Sequence, residues 1–565
     1  MGENLTYADK PWLKSYFVGP FKLSKTMEPY PKIPVTQFLD DAAQQFPDNV
    51  ACVYLEEEFT YQQLKLQVDK FATALAELGV KKGDTVATIL PSCPQFIISD
   101  YAIMRLGAIH VPISILHQAS DLLHELNESG AETVICSYRR LERVNAIKNK
   151  TKLKTIIWAP VPIYPLYSTP DLEEIPGADR FEDLIKTSDP NPPNVEIDPM
   201  NDVVLLPFTG GTTGVPKGTM LSHYNLTSNV IQSLHWMMSP LAPGVKGKSA
   251  VEICVPIFHQ MGHWGVHACI SWGLRIILVD GRDLQKIAEL IKKYRPFVVM
   301  GVPTHYMLLL NEDIPKMPIF FYAGAAALPP DVAKQWEKKI GVPLGEGYGL
   351  TEASPCVHLN LSGFSKVTGF MAEVKRSIGV PVADTEVKIV DPETGAEAPL
   401  GEAGELWVRG PQIMLGYWPT PCKCLDKYGW LATGDIAKMD EEGYFYIVDR
   451  IKDMINVSGM KVYSRIVDDV LFEHPAILEA GVIGVPDPER PGSERIKAFI
   501  VLKPEYEGKV TGADIMKYCQ ENLPPYAIPK FVEFRPILPL TPVMKIHKKQ
   551  LRDEELAKMR ERGEF

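Results

Sequence analysis

The sequence predicts an α/β protein, with a large N-terminal domain of helix-covered sheets plus a β-rich subdomain, and a small α+β C-terminal domain. Three observations carry that expectation. Helical and strand periodicities alternate along most of the 565 residues, the pattern of parallel sheets covered by helices. From Glu402 to Ile447 the pattern changes to short strands separated by glycine turns (GELWVRG, GYFYIV). A charged segment, DRIKDMINVSGMKV, then leads into a helix and a compact tail. The boundary falls near Lys452, giving domains of residues 1–451 and 452–565.

Taken in order, Phe59 to Leu78 reads as a turn feeding an amphipathic helix, with Leu64, Val68, Phe71, Leu75 and Leu78 at three- and four-residue spacing. Gly79 follows as its cap. Thr85 to Leu90 reads as a strand, Ile97 to Leu106 as a helix and Ala108 to Ile113 as a strand. Ala159 to Val195 is rich in Pro, Ser and Asp and reads as a surface excursion. Cohesive patterning resumes at Val203. There is no internal repeat and no low-complexity tract.

Hydrophobic residues make up 45% of the chain and charged residues 23%, the balance of a soluble globular protein. A net charge of −11 argues against a nucleic-acid surface, while leaving room for a local basic funnel. The start lacks the basic and apolar segments of a signal peptide, and no run approaches the roughly 20 apolar residues of a membrane span. Peripheral membrane contact stays open. The nine cysteines read as small buried hydrophobes in a reducing cytoplasm.

The sharpest local signal is TGGTTGVPKG at residues 209–218. Its glycines let backbone N–H groups crowd around a polyphosphate, its threonines add donors and Lys217 supplies charge. It is not a Walker A loop, because Pro216 and Gly218 flank the lysine where that motif needs Gly and Ser or Thr.

This string resembles the phosphate loop of the adenylate-forming superfamily of acyl-CoA synthetases, luciferases and peptide-synthetase adenylation domains. The superfamily's other motifs follow in order: GYGLTE at 347–352, Thr433-Gly434-Asp435, DRIKD at 449–453 and a lysine near the C-terminus. The resemblance spans essentially the whole chain and is nearest to bacterial medium- and long-chain fatty-acid–CoA ligases. It implies two steps: a carboxylic acid and ATP give acyl-adenylate and pyrophosphate, and coenzyme A then takes the acyl group and releases AMP.

Residue by residue, the resemblance implies a phosphate loop of Thr209, Gly210, Gly211, Thr212, Thr213, Gly214 and Lys217. Tyr348, with Gly347 and Gly349, would stack on adenine opposite Gly324, Ala325 and Ala326. Asp435 would accept from the ribose hydroxyls, with Ile447 and Arg450 beside it. Thr351 would donate to the α-phosphate and Glu352 would hold Mg²⁺, a hard cation that prefers oxygen. Lys545, in LPLTPVMK, would stabilise charge gathering at the α-phosphorus, while Lys548 and Lys549 read as solvated charges. The superfamily rotates its small domain between the two steps, which puts the hinge at Lys452. Gly459, Met460 and Lys461 would then line the coenzyme A tunnel. The chain departs from the pattern at Ser464, Ile466 and Val543-Met544, where Pro, Glu and Ser-Gly are usual.

Which acid is activated rests on PIFHQMGHWG at 256–265. His259 follows Phe258 where amino-acid-activating relatives carry Asp, so a charged amine would lack a partner. His259 is a candidate catalytic residue, and Trp264, Val302 and Pro303 are candidates for the acyl pocket. Trp264 is either ordinary core or the cap of the acyl tunnel. His259 and His263 have no cysteine or carboxylate at metal-ligand spacing. Medium- or long-chain fatty acids are the expected substrates, with alicyclic or aromatic acids as the alternative. A catalytically silent acyl- or nucleotide-binding protein is the reading of another class.

Overall fold

The structure is a computed structural model and describes residues 5–162, 164–165, 175–210, 216–317, 319–367, 369–371, 374–419, 424–541 and 545–564. Two nine-stranded sheets form the large N-terminal part. The first has a parallel centre built from Val203–Leu205, Ile109–Pro112, Thr85–Ile89, Thr133–Ser137 and Thr155–Ala159. An antiparallel hairpin, Phe208–Gly210 with Pro216–Ser222, closes one edge. The parallel centre of the second sheet runs through Leu344–Gly349, Phe320–Ala323, Val298–Gly301, Ala250–Ile253, Arg275–Leu278 and Val50–Tyr54.

The early elements follow the sequence pattern closely. Thr60 caps the helix Tyr61–Glu77, accepting from the Gln63 N–H, and Leu64, Val68, Phe71 and Leu75 are its buried stripe. The helix expected from Ile97 starts earlier, at Pro94, whose ring suits the first helical turn. The excursion after Ala159 is not wholly irregular: Asp179–Arg180 adds a strand to the first sheet and Phe181–Thr187 is a helix. The β-rich unit is a four-stranded antiparallel sheet of Glu386–Val390, Gly404–Arg409, Leu431–Met439 and Phe445–Arg450. It therefore begins sixteen residues before the glycine-turn pattern, because Glu386–Val390 lacks such turns.

Five helices shape the cavity and its surroundings and are numbered in chain order. They are α1 (Pro94–Arg105), α2 (His223–Val230), α3 (Gln260–Ser271), α4 (Ser464–Phe472) and α5 (Lys548–Glu561). The last two belong to the C-terminal part, with the hairpin Ile455–Val457/Met460–Val462 and a sheet of Ile477–Pro486, Glu494–Leu502 and Phe531–Phe534. α4 forms without an acid in its first turn, and Ile466 is exposed on it. Lys548 corrects the solvated-charge reading. Its Nζ donates to Ser464 Oγ at 2.8 Å and Asp468 Oδ2 at 2.7 Å, so it joins α5 to α4. Lys549 is exposed, as expected. Seven cysteines are buried and free, but Cys424 is disulfide-bonded, against the uniform expectation. Among the described residues no helix is long and apolar enough to cross a membrane.

α2 follows the hairpin directly and is buried on nearly every side. Its polar side chains act as clips. Asn225 Nδ2 donates to the Pro411 and Ile413 carbonyls at 2.8 and 2.9 Å. Asn229 both donates to the Cys356 carbonyl (2.7 Å) and accepts from the Cys356 N–H (3.0 Å). Gln232, in the π-helical turn that continues α2, donates to the Ala383 carbonyl at 2.8 Å. We expect Asn229→Ala to cost about 2–6 kcal/mol, since it strands a buried N–H and a buried C=O together. A fall in the thermal unfolding midpoint of the full chain checks this, and an unchanged midpoint would refute it.

Candidate active site

One cavity of about 1060 Å³ lies at the carboxyl ends of the parallel strands, between the two sheets, the β-rich unit and the C-terminal part. Open α/β sheets bind ligands at such strand ends. Strand Phe320–Ala323 delivers Gly324 and Ala325 to its wall, and strand Leu344–Gly349 delivers Gly347, Tyr348 and Gly349. Gly349 cannot be replaced without a shift, because a Cβ there would stand 2.1 Å from the Pro355 carbonyl oxygen. The chain then turns into a short 3₁₀ segment, Thr351–Ala353, which presents Thr351 and Glu352.

Asp435 is nearly buried and engaged from two sides. Tyr348 Oη donates to its Oδ2 at 2.6 Å, and Arg450 Nε donates to its Oδ1 at 3.0 Å. Burial and the adjacent carboxylate hold the Tyr348 phenol well above its usual pKa, so it stays a donor. His358 lies behind the Tyr348 ring, edge to face at 5.7 Å.

Thr209 and Lys217 face each other across the hairpin that flanks the expected phosphate loop. Thr209 Oγ1 reaches Glu352 Oε1 at 3.4 Å, and the Tyr417 hydroxyl donates to the same oxygen. Lys217 Nζ lies 5.7 Å from the centre of the Tyr417 ring. Among the described residues no lysine or arginine pairs with Glu352.

From the C-terminal part, Lys545 enters the same cavity beside Arg450 and Lys452. Thr541 and Lys545 close their turn through two hydrogen bonds, Thr541 N–H to Lys545 O at 2.7 Å and Lys545 N–H to Thr541 Oγ1 at 3.2 Å. Burial, and then the Arg450 charge, push the Lys545 pKa down to about 7. His259 caps the N-terminus of α3, its Nδ1 accepting from the Met261 N–H at 3.5 Å. Burial, with Lys545 adding to it, pushes its pKa down to about 3. The ring is therefore neutral at pH 7 and carries its proton on Nε2.

Beyond His259 the lining turns apolar, with Leu234, Met237, Val251, Phe297 and Met300. Trp264, Gly265 and Ala268 of α3 form one wall, and Trp264 Nε1 donates to Ser233 Oγ at 3.1 Å.

Several sequence-predicted residues stand elsewhere. Val302 and Pro303 do not line the cavity. Val302 caps a helix that starts at Pro303, and both are buried in the core. Gly210 ends the first strand of the hairpin. Ala326 and Ile447 are also off the wall, and the Ile447 carbonyl accepts from Arg465 Nη1 at 2.8 Å instead. Gly459, Met460 and Lys461 form an exposed hairpin outside the cavity, Lys461 pairing with Glu393. Gly211, Thr212, Thr213 and Gly214, like Val543-Met544, lie outside the described residues.

Sequence reasoning missed Tyr417, which reaches the cavity only because its strand pairs with Pro216–Ser222. It also missed His117 and Glu125 on the far wall, whose Nδ1 and Oε2 are 3.4 Å apart. Neither feature carries a local motif.

The AMP-binding enzyme family matches residues 39–418, and its C-terminal domain matches residues 467–545. The chain belongs to the AMP-binding enzyme family. It is an ATP-dependent, AMP-forming ligase. Within this family it is similar to a long-chain-fatty-acid–CoA ligase of Bacillus subtilis, 35% identical over 97% of this chain and 98% of that one. It is also similar to a feruloyl-CoA synthase of an Amycolatopsis species, 31% identical over 87% of this chain and 93% of that one. Among solved structures, an anthranilate–CoA ligase in complex with anthranoyl-AMP aligns with a TM-score of 0.82 at 25% identity, covering 93% of this chain and 98% of its own.

The depressed Lys545 pKa gives a directional expectation. The ammonium is present below its folded pKa of about 7 and lost as pH rises through it. In this family member kcat/KM for ATP, which reports the free enzyme, should fall above pH 7. The fall in kcat should come at higher pH, because bound phosphate favours the charged lysine. Parallel pH profiles for the two parameters would overturn this.

Proposed function

We infer that this ligase is an acyl-CoA synthetase acting on medium- or long-chain fatty acids. The observation that carries the reading is the two-ended cavity, in which the charged end containing Lys545, Asp435 and Glu352 runs on past His259 into the apolar chamber. A carboxylate at the junction would have its chain in the chamber and its oxygens toward the charged end.

In the first step a carboxylate oxygen bonds to the α-phosphorus and the bond to pyrophosphate breaks. Lys545 lies where negative charge gathers from both reactants, so it stabilises the transition state more than the ground state. Thr351 donates to the α-phosphate. Tyr348 packs on adenine opposite Gly324 and Ala325, and Asp435 accepts from the ribose hydroxyls with lone pairs that Tyr348 and Arg450 leave free. Thr209 and Lys217 flank the phosphates. Neutral His259 offers Nε2–H to the acid without adding charge. Glu352, which among the described residues has no cationic partner and lies beside a threonine hydroxyl, suits Mg²⁺, which would neutralise phosphate charge there.

In the second step the sulfur of coenzyme A bonds to the acyl carbon and AMP leaves. We assign residues 1–451 and 452–565 to two domains, with Lys452 at the hinge. The exposed hairpin bearing Gly459, Met460 and Lys461 would line the coenzyme A tunnel after rotation. Contacts across this boundary include the polar pairs Lys461–Glu393, Arg465 to the Ile447 carbonyl and Ser464 to Asp449. Polar contacts of this kind are compatible with domain motion.

The feruloyl-CoA relative and the indole of Trp264 on the chamber wall favour aromatic or alicyclic acids as a second reading.

Lys545→Ala should slow adenylate formation by roughly 10²–10³-fold, the loss expected for one preorganised charge-stabilising donor. Thioester formation from supplied acyl-adenylate should fall far less. Equal losses in the two half-reactions would sink the assignment.

Trp264→Gly tests the chamber. If the indole caps it, kcat/KM across a chain-length series should shift toward longer or bulkier acids, on a scale of about 1–3 kcal/mol per methylene. A lower melting temperature with an unchanged order of preference would leave Trp264 as core.

A further inference from the structure

Behind α3, on the face turned away from the cavity, lies a cluster that the ligase reaction does not use. His263 and His267 project from α3 at a spacing of four residues, toward Asp100 of α1 and His110 of strand Ile109–Pro112. All four side chains are at most 1% exposed. Asp100 Oδ1 lies 2.6 Å from His110 Nδ1 and 3.0 Å from His263 Nε2. Asp100 Oδ2 is 3.8 Å from His267 Nε2.

The outer nitrogens of two of these rings are already committed. His110 Nε2 meets Thr88 Oγ1 at 2.8 Å, and His267 Nδ1 meets Tyr101 Oη at 2.9 Å. Those contacts turn His110 Nδ1 and His267 Nε2 toward the carboxylate. Such second contacts fix the orientation of histidines that ligate metals.

The inner atoms, by contrast, are poorly served by one another. Asp100 Oδ2 and His267 Nε2 are buried without a hydrogen-bond partner, and His263 Nε2 faces only Asp100 Oδ1, the oxygen that His110 Nδ1 already engages. A buried carboxylate needs a counter-charge, and among the described residues no lysine or arginine pairs with Asp100. Phe96 packs against His110 and His263, so the surroundings are dry.

We propose that Asp100, His110, His263 and His267 form a structural site for a divalent transition-metal ion of the zinc class. The ligand atoms of Asp100, His110 and His263 lie within 4.8 Å of one another. Metal bonds of about 2.0 Å in a tetrahedron place ligand atoms roughly 3.3 Å apart. With Oδ1 as the carboxylate ligand, its separations from His110 Nδ1 and His263 Nε2 would open by about 0.7 and about 0.3 Å, and His267 Nε2, which now faces Oδ2, would turn toward the same ion. Nitrogen-rich sets with one carboxylate suit zinc, whereas Mg²⁺ prefers oxygen.

The site joins elements of different sheets. α1 and Ile109–Pro112 belong with the first sheet, while α3 connects two strands of the second. An ion there would pin the helix whose other face carries His259 and Trp264.

The test is elemental analysis of the untagged full-length chain, expressed with added zinc and passed through metal-free buffer. Roughly one equivalent of metal should remain, and the cobalt-loaded chain should show the visible absorption of tetrahedral Co²⁺. Asp100→Asn and His263→Gln should lose both signals. If those variants do not fold, His267→Gln, which keeps the central trio, should hold metal with at least roughly tenfold weaker affinity. A wild-type chain with no metal above background, whose melting temperature a zinc chelator leaves unchanged, would overturn the proposal and leave a proton-bridged cluster.

Discussion

Three separate stretches of backbone, at Cys356, at Pro411 to Ile413 and at Ala383, end on the amides of one buried segment, Asn225, Asn229 and Gln232. A primary amide can satisfy a peptide N–H and C=O together, and in a dry interior each such group is costly to leave unmet. The segment starts immediately after strand Pro216–Ser222. The hairpin of Phe208–Gly210 and Pro216–Ser222 is thereby held in fixed relation to the second sheet and the β-rich unit. Glu352, Tyr417 and Thr209 converge close to these ties: Cys356 follows Glu352, Pro411 to Ile413 precede Tyr417, and the hairpin bearing Thr209 runs into this helix.

The same arrangement concentrates charge. The chain is acidic overall, yet Lys217, Arg450, Lys452 and Lys545 reach one cavity. Loss of water on burial, and then repulsion from Arg450, depress the pKa values of Lys452 and Lys545. An anionic ligand relieves both effects, so binding of a polyphosphate and charging of Lys545 support each other. Within the C-terminal part Lys548 ties α5 to α4 through Ser464 and Asp468, and Ser464 Oγ also reaches Asp449 Oδ1 across the boundary at 3.3 Å. The serine that replaces the family's usual proline at position 464 thus takes part in both.

α3 serves two purposes on opposite faces. Met261, Trp264, Gly265 and Ala268 line the cavity, and His263 and His267 turn toward Asp100. A four-residue repeat on a helix keeps each set on its own side. Gly265 fits because Met300 and Ile253 press against it, where an added Cβ would meet Met300 at 3.1 Å. The rigidity of the chamber wall and the burial of the histidine cluster are consequences of one packing arrangement.

By itself the sequence determined the alternating α/β plan, the helix stripe of Leu64, Val68, Phe71 and Leu75, and the ordered motifs that carry Tyr348, Thr351, Glu352, Asp435 and Lys545. These are legible because each depends on local periodicity or on short strings whose chemistry is contained in neighbouring residues. Only the tertiary structure decided that Val302 and Pro303 belong to the core, that Ile447 offers a carbonyl to Arg465 and not a wall to the nucleotide, and that Lys548 is paired. It alone brought Tyr417 to Glu352, and Asp100 to His263 across 163 residues of chain. Such contacts form between side chains whose sequence separation carries no period. They are set by how sheets and helices stack, which local pattern does not encode.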